Sequence, residues 1–200
     1  MFVNQFSTPV IRLAHPLAFS AFLGEIGAPV ETYFKRNRLP SLCTDSNAFV
    51  PLKNAWEMFG DAARHEHRHL GWYVGRYVGD KGLSAGLLNS LDSSPSLLTA
   101  LKRLIRRVSS EASHLRIGIV ESHDGVQFYT HYPGRTEEPG YLVSQAYQLE
   151  VYADLIRHFA GAEWQPKVIG LEASDFPEIL SERFPDHDRQ RCQRHAQPGA

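Results

Sequence analysis

The pattern of apolar and polar residues between positions 94 and 132 predicts an α-helix followed by a β-hairpin. Apolar residues recur every three or four positions over 97–108, which places them on one side of a helix. The opposite side of this helix carries four basic residues, Lys102, Arg103, Arg106 and Arg107. Apolar residues then alternate with polar ones over 115–119 and 126–130, as in strands with one buried face. The Asp124-Gly125 pair between the two runs suits a tight turn.

The longest predicted helix, Tyr141 to Ala160, has an unusually wide apolar stripe. One set of its apolar residues repeats at heptad spacing, and Val143, Leu155 and Phe159 widen the stripe on one side. The heptad set consists of Leu142, Ala146, Leu149, Ala153 and Ile156. A stripe of this width favours a helix that packs on a sheet and also contacts a partner, so we expect this set to form the contact of a two-fold homodimer. The alternative is that both sets are buried within the chain.

The remaining segments complete an α+β arrangement. The first third predicts helices that begin near Pro16, Pro29 and Pro51, and residues 167–172 predict a third strand. A short helix is predicted over 177–184, and residues 186–200 lack periodicity and are expected to form a mobile tail. The fold class is therefore α+β: amino-terminal helices, a small, mainly antiparallel sheet, and a long helix packed on it.

Several short motifs occur together in an order that resembles one known family. They cover about 170 of the 200 residues. They are PLAFSAFLGEIGAPVETYFKRN at 16–37, FVPL at 49–52, Leu70-Gly71 with Gly79, the stretch 82–94, the helix and hairpin at 94–132, and WQPKV at 164–168. This set resembles the amino-terminal regulatory domain, of the arabinose-binding type, of AraC-type transcriptional regulators. The chain departs from that pattern at residues 135–140 and after Pro185.

The resemblance implies a function in bacterial transcription regulation. Residues 1–185 would then form a domain that binds a small effector, dimerises, or both, and it would act in the cytoplasm without a cofactor. DNA would be bound by a separate pair of helix-turn-helix motifs, for which this chain has no matching segment. An alternative is a dimerisation module that binds no ligand.

Composition and charge agree with a regulatory domain that does not itself bind DNA. The chain has 42% hydrophobic and 22% charged residues, with a formal net charge of −1, which is ordinary for one globular domain. Near-zero charge argues against a nucleic-acid clamp, and we interpret the basic helix face as a solvated surface. Cys43 and Cys192 are far apart in sequence, which makes a disulfide framework improbable and favours the cytoplasm. No signal peptide or membrane span is predicted.

One segment formally matches a zinc-hydrolase motif. His65, Glu66 and His69 satisfy H-E-x-x-H, in which two histidines one helical turn apart bind zinc and the glutamate activates water. The surrounding residues are charged, and Gly71 follows closely. We therefore expect a polar helix end, no catalytic metal and no enzymatic activity, and keep a metal-dependent hydrolase as the less favoured alternative.

Aromatic and polar side chains supply candidates for an effector pocket. Rings provide apolar contact area, and hydroxyl or imidazole groups orient a ligand. The candidates are Trp72, Tyr73, Tyr77, Tyr129, His131 and Tyr147. Packing in the core explains each of them equally well.

Overall fold

The computed structural model describes residues 8–123, 125–131, 138, 140–171 and 188–191. Within these residues the chain forms seven α-helices and three strand pairs, and the predicted α+β class is confirmed. The helices are α1 (Ala14–Glu25), α2 (Val30–Arg36), α3 (Leu52–His65), α4 (Leu70–Val78), α5 (Ala85–Asp92), α6 (Leu97–Arg107) and α7 (Tyr141–Ala160). The strands are β1 (Val10–Arg12), β2 (Phe49–Pro51), β3 (Arg116–Ser122), β4 (Gly125–His131), β5 (Val168–Leu171) and β6 (Asp188–Arg191).

The strands form three separate pairs and not one sheet. β1 pairs with β2 and β3 with β4, both antiparallel, whereas β5 pairs with β6 in parallel. The predicted third strand is β5, and its partner β6 lies inside the segment 186–200 that was expected to be a mobile tail, so that expectation is wrong for these four residues. The predicted helix over 177–184 and the rest of the tail lie outside the described residues.

Helix α6 forms where the periodicity predicts it. The Ser96 hydroxyl oxygen accepts the backbone N–H of Thr99 at 3.3 Å and caps the helix amino terminus. On the polar side, the Arg103 guanidinium donates to the carbonyl oxygen of Ser90 at 2.8 Å and to the Ser94 hydroxyl at 3.0 Å. Arg103 therefore fastens the carboxyl end of α5 to α6, and only the other three basic residues are freely exposed.

Helix α7 packs between two apolar clusters. The larger cluster contains residues from α1 to α6 together with Tyr147 and Leu155 of α7, and the smaller one contains Trp72, Ala146, Ala153 and Ile169. Helix α4 crosses α7 at very short range. Gly71 permits this approach, since a Cβ atom at that position would collide with the Val143 carbonyl oxygen. Among the described residues, no helix combines the length and apolarity needed to cross a bilayer.

The hairpin β3–β4 lies beside α7. Ser122 pairs with Gly125, so Gly125 belongs to β4 and not to the turn, in which the sequence predicted it together with Asp124. Gly125 has φ +136°, a conformation that glycine adopts without a steric penalty. The Phe128 ring meets the Tyr152 ring edge to face, with a centroid distance of 5.2 Å, and this contact attaches the hairpin to the long helix.

Candidate functional site

A buried carboxylate, Glu111, is the centre of the most polar part of the interior. A single turn of 3-10 helix, Val108–Ser110, follows α6 and reverses the chain before β3. This turn directs the Glu111 side chain inward, where the residue is only 2% exposed. Burying a charge is costly unless it is paired and hydrogen-bonded, so the surroundings of Glu111 must supply partners.

Three segments supply those partners. The Ser84 hydroxyl donates to Glu111 Oε1 at 2.5 Å, and the Ser84 backbone N–H donates to Oε2 at 3.2 Å. Arg12 of β1 places Nε 3.3 Å from Oε1, and His15 of α1 places Nε2 3.6 Å from Oε2. Glu111 thus links the start of α5 with β1 and α1, and we call these four residues the Glu111 cluster.

The partners keep Glu111 ionised despite its burial. Desolvation raises the pKa of a buried carboxyl group, but the neighbouring His15 imidazole and the hydrogen bonds from Ser84 outweigh it, and the pKa of Glu111 lies below its usual value. At neutral pH the cluster therefore contains a carboxylate next to the Arg12 guanidinium. The hydrogen bonds that Ser84 donates to this carboxylate are charge-assisted and are of the stronger kind in proteins.

Tyr147 joins the long helix to this cluster. Its hydroxyl donates to the carbonyl oxygen of Gly82 at 2.9 Å and lies 3.3 Å from His15 Nδ1. Gly82 leaves room for the hydroxyl, since a Cβ atom there would lie 2.6 Å from it. A change at Glu111 can therefore reach α7 through His15 and Tyr147.

A small cavity of about 10 Å³ lies between the Glu111 cluster and α7. Its walls are mostly apolar, formed by Leu83, Val108 and Val151 among others, and its polar lining includes Glu111 and Gln148. Gln148 is 8% exposed, and its Oε1 atom has no hydrogen-bond partner within the described part of the chain. The cavity has room for one water-sized group, and Gln148, whose Oε1 atom is such an unpartnered acceptor, is one of its lining residues.

A second buried titratable group, His114, lies three residues after Glu111. Burial, together with the nearby His15 and Arg116, lowers the pKa of His114 to about 4. Its ring meets the Trp56 ring edge to face at 5.7 Å. His114 is therefore neutral at physiological pH and makes folding sensitive to acid.

Only one of the six predicted pocket residues, Tyr147, lines this cavity. Trp72 packs in the smaller cluster against α7 and β5, whereas Tyr73 and Tyr77 meet the ring of Phe22 on α1. Tyr129 and His131 project from the exposed hairpin. These six residues do not form one pocket, because helical spacing on α4 directs Trp72 and Tyr73 toward different neighbours.

The residues that do surround the cavity lack a recognisable sequence signal. Glu111 lies in the irregular segment between a helix and a strand, where no periodicity identifies an inward direction. Gln148 lies on the long helix among apolar residues. That position indicates burial, and it is the one feature of the sequence from which this cavity residue could have been predicted. The contacts of Arg12 and His15 with Glu111 span about a hundred residues and depend on tertiary structure alone.

The zinc-hydrolase alternative lacks its required geometry. Helix α3 ends at His65 and α4 begins at Leu70, so His65 and His69 do not lie one turn apart on a helix. His65 Nδ1 lies 2.8 Å from the carbonyl oxygen of Asp61, and Glu66 accepts a hydrogen bond from the Tyr33 hydroxyl. Burial and Glu66 raise the pKa of Tyr33 to about 12. No group of three metal-ligating side chains is present among the described residues.

Most of the predicted dimerisation stripe is buried inside the chain. Ala146, Ala153 and Ile156 are buried, and Leu149 is half-buried. The smaller apolar cluster, which includes Ala146 and Ala153, covers this side of α7 with Trp72 and Ile169. Only Leu142 is widely exposed, at 44%. The expectation that these five residues form a dimer contact is therefore wrong for the stripe as a whole. Internal burial, the alternative, describes the stripe better. Self-association itself stays a prediction.

Comparison with known proteins does not assign the chain to a family. No protein-family model matches the chain, and no curated protein matches it. The likeness to AraC-type regulators thus depends on the motifs described above.

Proposed function

We propose that this chain is a regulatory domain of an AraC-type transcription regulator, which responds to a small effector and to self-association. In this function it controls how an attached helix-turn-helix part engages DNA. The order of helices, hairpin and long helix is the one in which the motifs occur along the sequence. The cavity beside the Glu111 cluster, which Glu111 and His15 help to line, is the observation that carries the effector half of the proposal.

The Glu111 cluster suits a regulatory response because it joins parts of the molecule that are distant in sequence. A group that binds beside Glu111 and Gln148 touches the turn after α6 and the long helix at once. Through Ser84 and His15 it also reaches the starts of α5 and α1. A ligand shifts a conformational equilibrium by its differential affinity for the two states, and contacts with several elements provide that difference.

The cavity also defines the chemistry of the effector. The amide oxygen of Gln148 accepts hydrogen bonds and has no partner within the described residues, so the effector presents an amine or hydroxyl donor. The apolar walls favour a short hydrocarbon body beside that donor. An effector larger than water must displace neighbouring side chains, so its binding is coupled to a conformational change.

Thermal unfolding in the presence of small amines and alcohols tests this function. We expect a subset of these compounds to raise the melting temperature by mass action. Gln148→Leu, which removes the amide acceptor at constant size, should abolish the rise. Tyr77→Phe is the matched control, because Tyr77 lies on the exposed side of α4 and should keep the full response.

Two results would count against the effector function. One is that no donor compound stabilises the protein; the other is that Gln148→Leu and wild type respond equally. A reporter assay with the complete coding region then tests regulation directly: loss of the compound's effect on transcription in Gln148→Leu is the expected outcome.

A dimerisation module without ligand is the second candidate. The observation in its favour is the exposed, uncharged strand β4. This candidate requires self-association that is independent of any added compound, which concentration-dependent light scattering measures.

A further inference from the structure

Strand β4 is unusually exposed for a strand of its composition. Five of its seven residues are exposed and the other two are half-buried. Val126 is 59% exposed and Tyr129 is 45% exposed. Among the described residues, only β3 pairs with β4, so within that part of the chain one long side of this strand has no strand partner.

The register of the hairpin identifies those groups. Ser122 and Gly125 are the last pair of the hairpin, with two positions between them in the sequence, and the closing pair of a hairpin with this spacing is hydrogen-bonded. Every second residue from Gly125 therefore directs its N–H and C=O toward β3. The N–H and C=O groups of Val126, Phe128 and Thr130 point away from β3, toward the open edge.

This edge lacks the features that keep edge strands apart. Natural proteins protect such edges with charged residues, proline, bulges or very short strands. The sequence GVQFYTH contains no lysine, no acidic residue and no proline. Its pairing with β3 is continuous over seven residues without a bulge.

We propose that β4 pairs antiparallel with β4 of a second copy of this chain, about a two-fold axis at Phe128. This inference rests on the self-association part of the proposed function and names the surface that performs it. The axis places Phe128 opposite Phe128 of the second copy and Val126 opposite Thr130. Aromatic pairs and pairs of β-branched residues are favourable across strands, and the uncharged strand brings no like charges together.

The contact between the two β4 strands is small, and the dimer it forms is therefore weak. Each copy contributes one seven-residue strand, compared with about 20–30 residues on each side of a standard interface. The pairing converts two hairpins into a four-stranded sheet, which is more stable than an isolated hairpin. The expected dimer is therefore weak, with a dissociation constant in the micromolar range or above.

Val126→Pro is the most direct variant for testing this contact. Proline removes the Val126 N–H, which points to the open edge, and leaves the hydrogen bonds to β3 in place. Sedimentation velocity from micromolar to millimolar protein should show at least about a tenfold weaker dimer. Val126→Thr is the matched control, because it keeps the N–H and the branched shape and should dimerise like wild type.

Amide hydrogen exchange on wild type provides a readout that does not depend on a variant. At low concentration the N–H groups of Gln127 and Tyr129, which face β3, should be protected, whereas those of Val126, Phe128 and Thr130 should exchange quickly. At high concentration the second set should become protected as well. This alternation would still test the contact if Val126→Pro failed to fold, as judged by circular dichroism.

The possible results separate the two proposals. A wild-type monomer at all concentrations overturns both the β4 contact and the self-association part of the proposed function. A dimer that Val126→Pro does not weaken, with no concentration-dependent protection of Phe128, overturns the β4 contact alone. A weakened Val126→Pro dimer with alternating protection supports the contact.

Discussion

The Glu111 cluster and the β3–β4 hairpin distribute polarity in opposite ways. The cluster places a carboxylate in the interior, with Arg12 and His15 beside it, and Glu111 is 2% exposed. The hairpin places Val120, Val126 and Tyr129 at the surface, each about half exposed or more. One region therefore has its charges paired in the interior, and the other presents apolar side chains at the surface and, within the described residues, one strand edge that has no strand partner.

This difference separates what holds the fold from what is available to a ligand or partner. Removing one member of a buried, paired set leaves the others uncompensated, so the cluster is sensitive to substitution. An exposed side chain is in contact with water in both the folded and the unfolded chain, so its substitution changes the free energy of unfolding little. Stability should therefore depend on the cluster, and association on the hairpin.

The largest effect is expected at Glu111. Glu111→Ala leaves Arg12 and His15 facing an apolar gap and should lower the free energy of unfolding by about 3–5 kcal/mol. Glu111→Gln keeps one oxygen that can accept a hydrogen bond from Ser84 and replaces the other by an amide NH2 group, and it should cost roughly 1–2 kcal/mol. Urea denaturation measures both values. Equal losses in the two variants would show that packing at this position, and not its charge, stabilises the interior.

A somewhat smaller effect is expected from the protonation of His114. Its pKa is about 4 in the folded state and 6.5 in the unfolded chain, so between these values only the unfolded chain binds the proton. Stability should therefore rise with pH through this window and be lost as the pH falls, by about 3 kcal/mol in total. The stability that ionised Glu111 contributes is present above its usual pKa of 4.5 and is lost as the pH falls below that value. A titration of His114 by NMR with a midpoint near 6.5 would contradict this expectation.

The close crossing of α4 and α7 should give the next effect. Gly71→Ala places a methyl group against the Val143 carbonyl oxygen and should cost roughly 2 kcal/mol through overpacking. Gly86→Ala is its control on α5, where nothing lies within 4 Å of an added Cβ, and it should stabilise the protein by about 0.5 kcal/mol. Thermal unfolding of the two variants compares them, and a neutral Gly71→Ala would show that the helices separate easily.

The smallest effect is expected on the hairpin surface. Val120→Thr replaces a half-exposed side chain by one of the same shape and should change the free energy of unfolding by less than about 0.5 kcal/mol. Urea denaturation at low protein concentration is the measurement. A loss of the size expected for Glu111→Ala would show that the hairpin is part of the cooperative core, and it would remove the contrast between the two regions.

Periodic elements could be predicted from the sequence, and contacts between distant elements could not. Helices α6 and α7 and the hairpin strands are encoded by local spacing of apolar residues, and the structure has them where that spacing predicts. The stripe on α7 is apolar, as its spacing predicts. Spacing does not tell whether a second copy of the chain covers the stripe or whether β5 and Trp72 of the same chain do, as the structure has it. The Glu111 cluster depends on pairs such as Arg12 with Glu111, whose proximity no local pattern contains.

Ser84 has a consequence for how this protein can vary in evolution. Its hydroxyl oxygen accepts the Leu87 N–H as the amino-terminal cap of α5, and the same hydroxyl donates its proton to Glu111. Aspartate, a common cap at other helices, has no proton to donate at neutral pH and would face a second carboxylate. Relatives that retain the buried glutamate should therefore carry serine or threonine at this position, and aspartate only where the glutamate has been replaced.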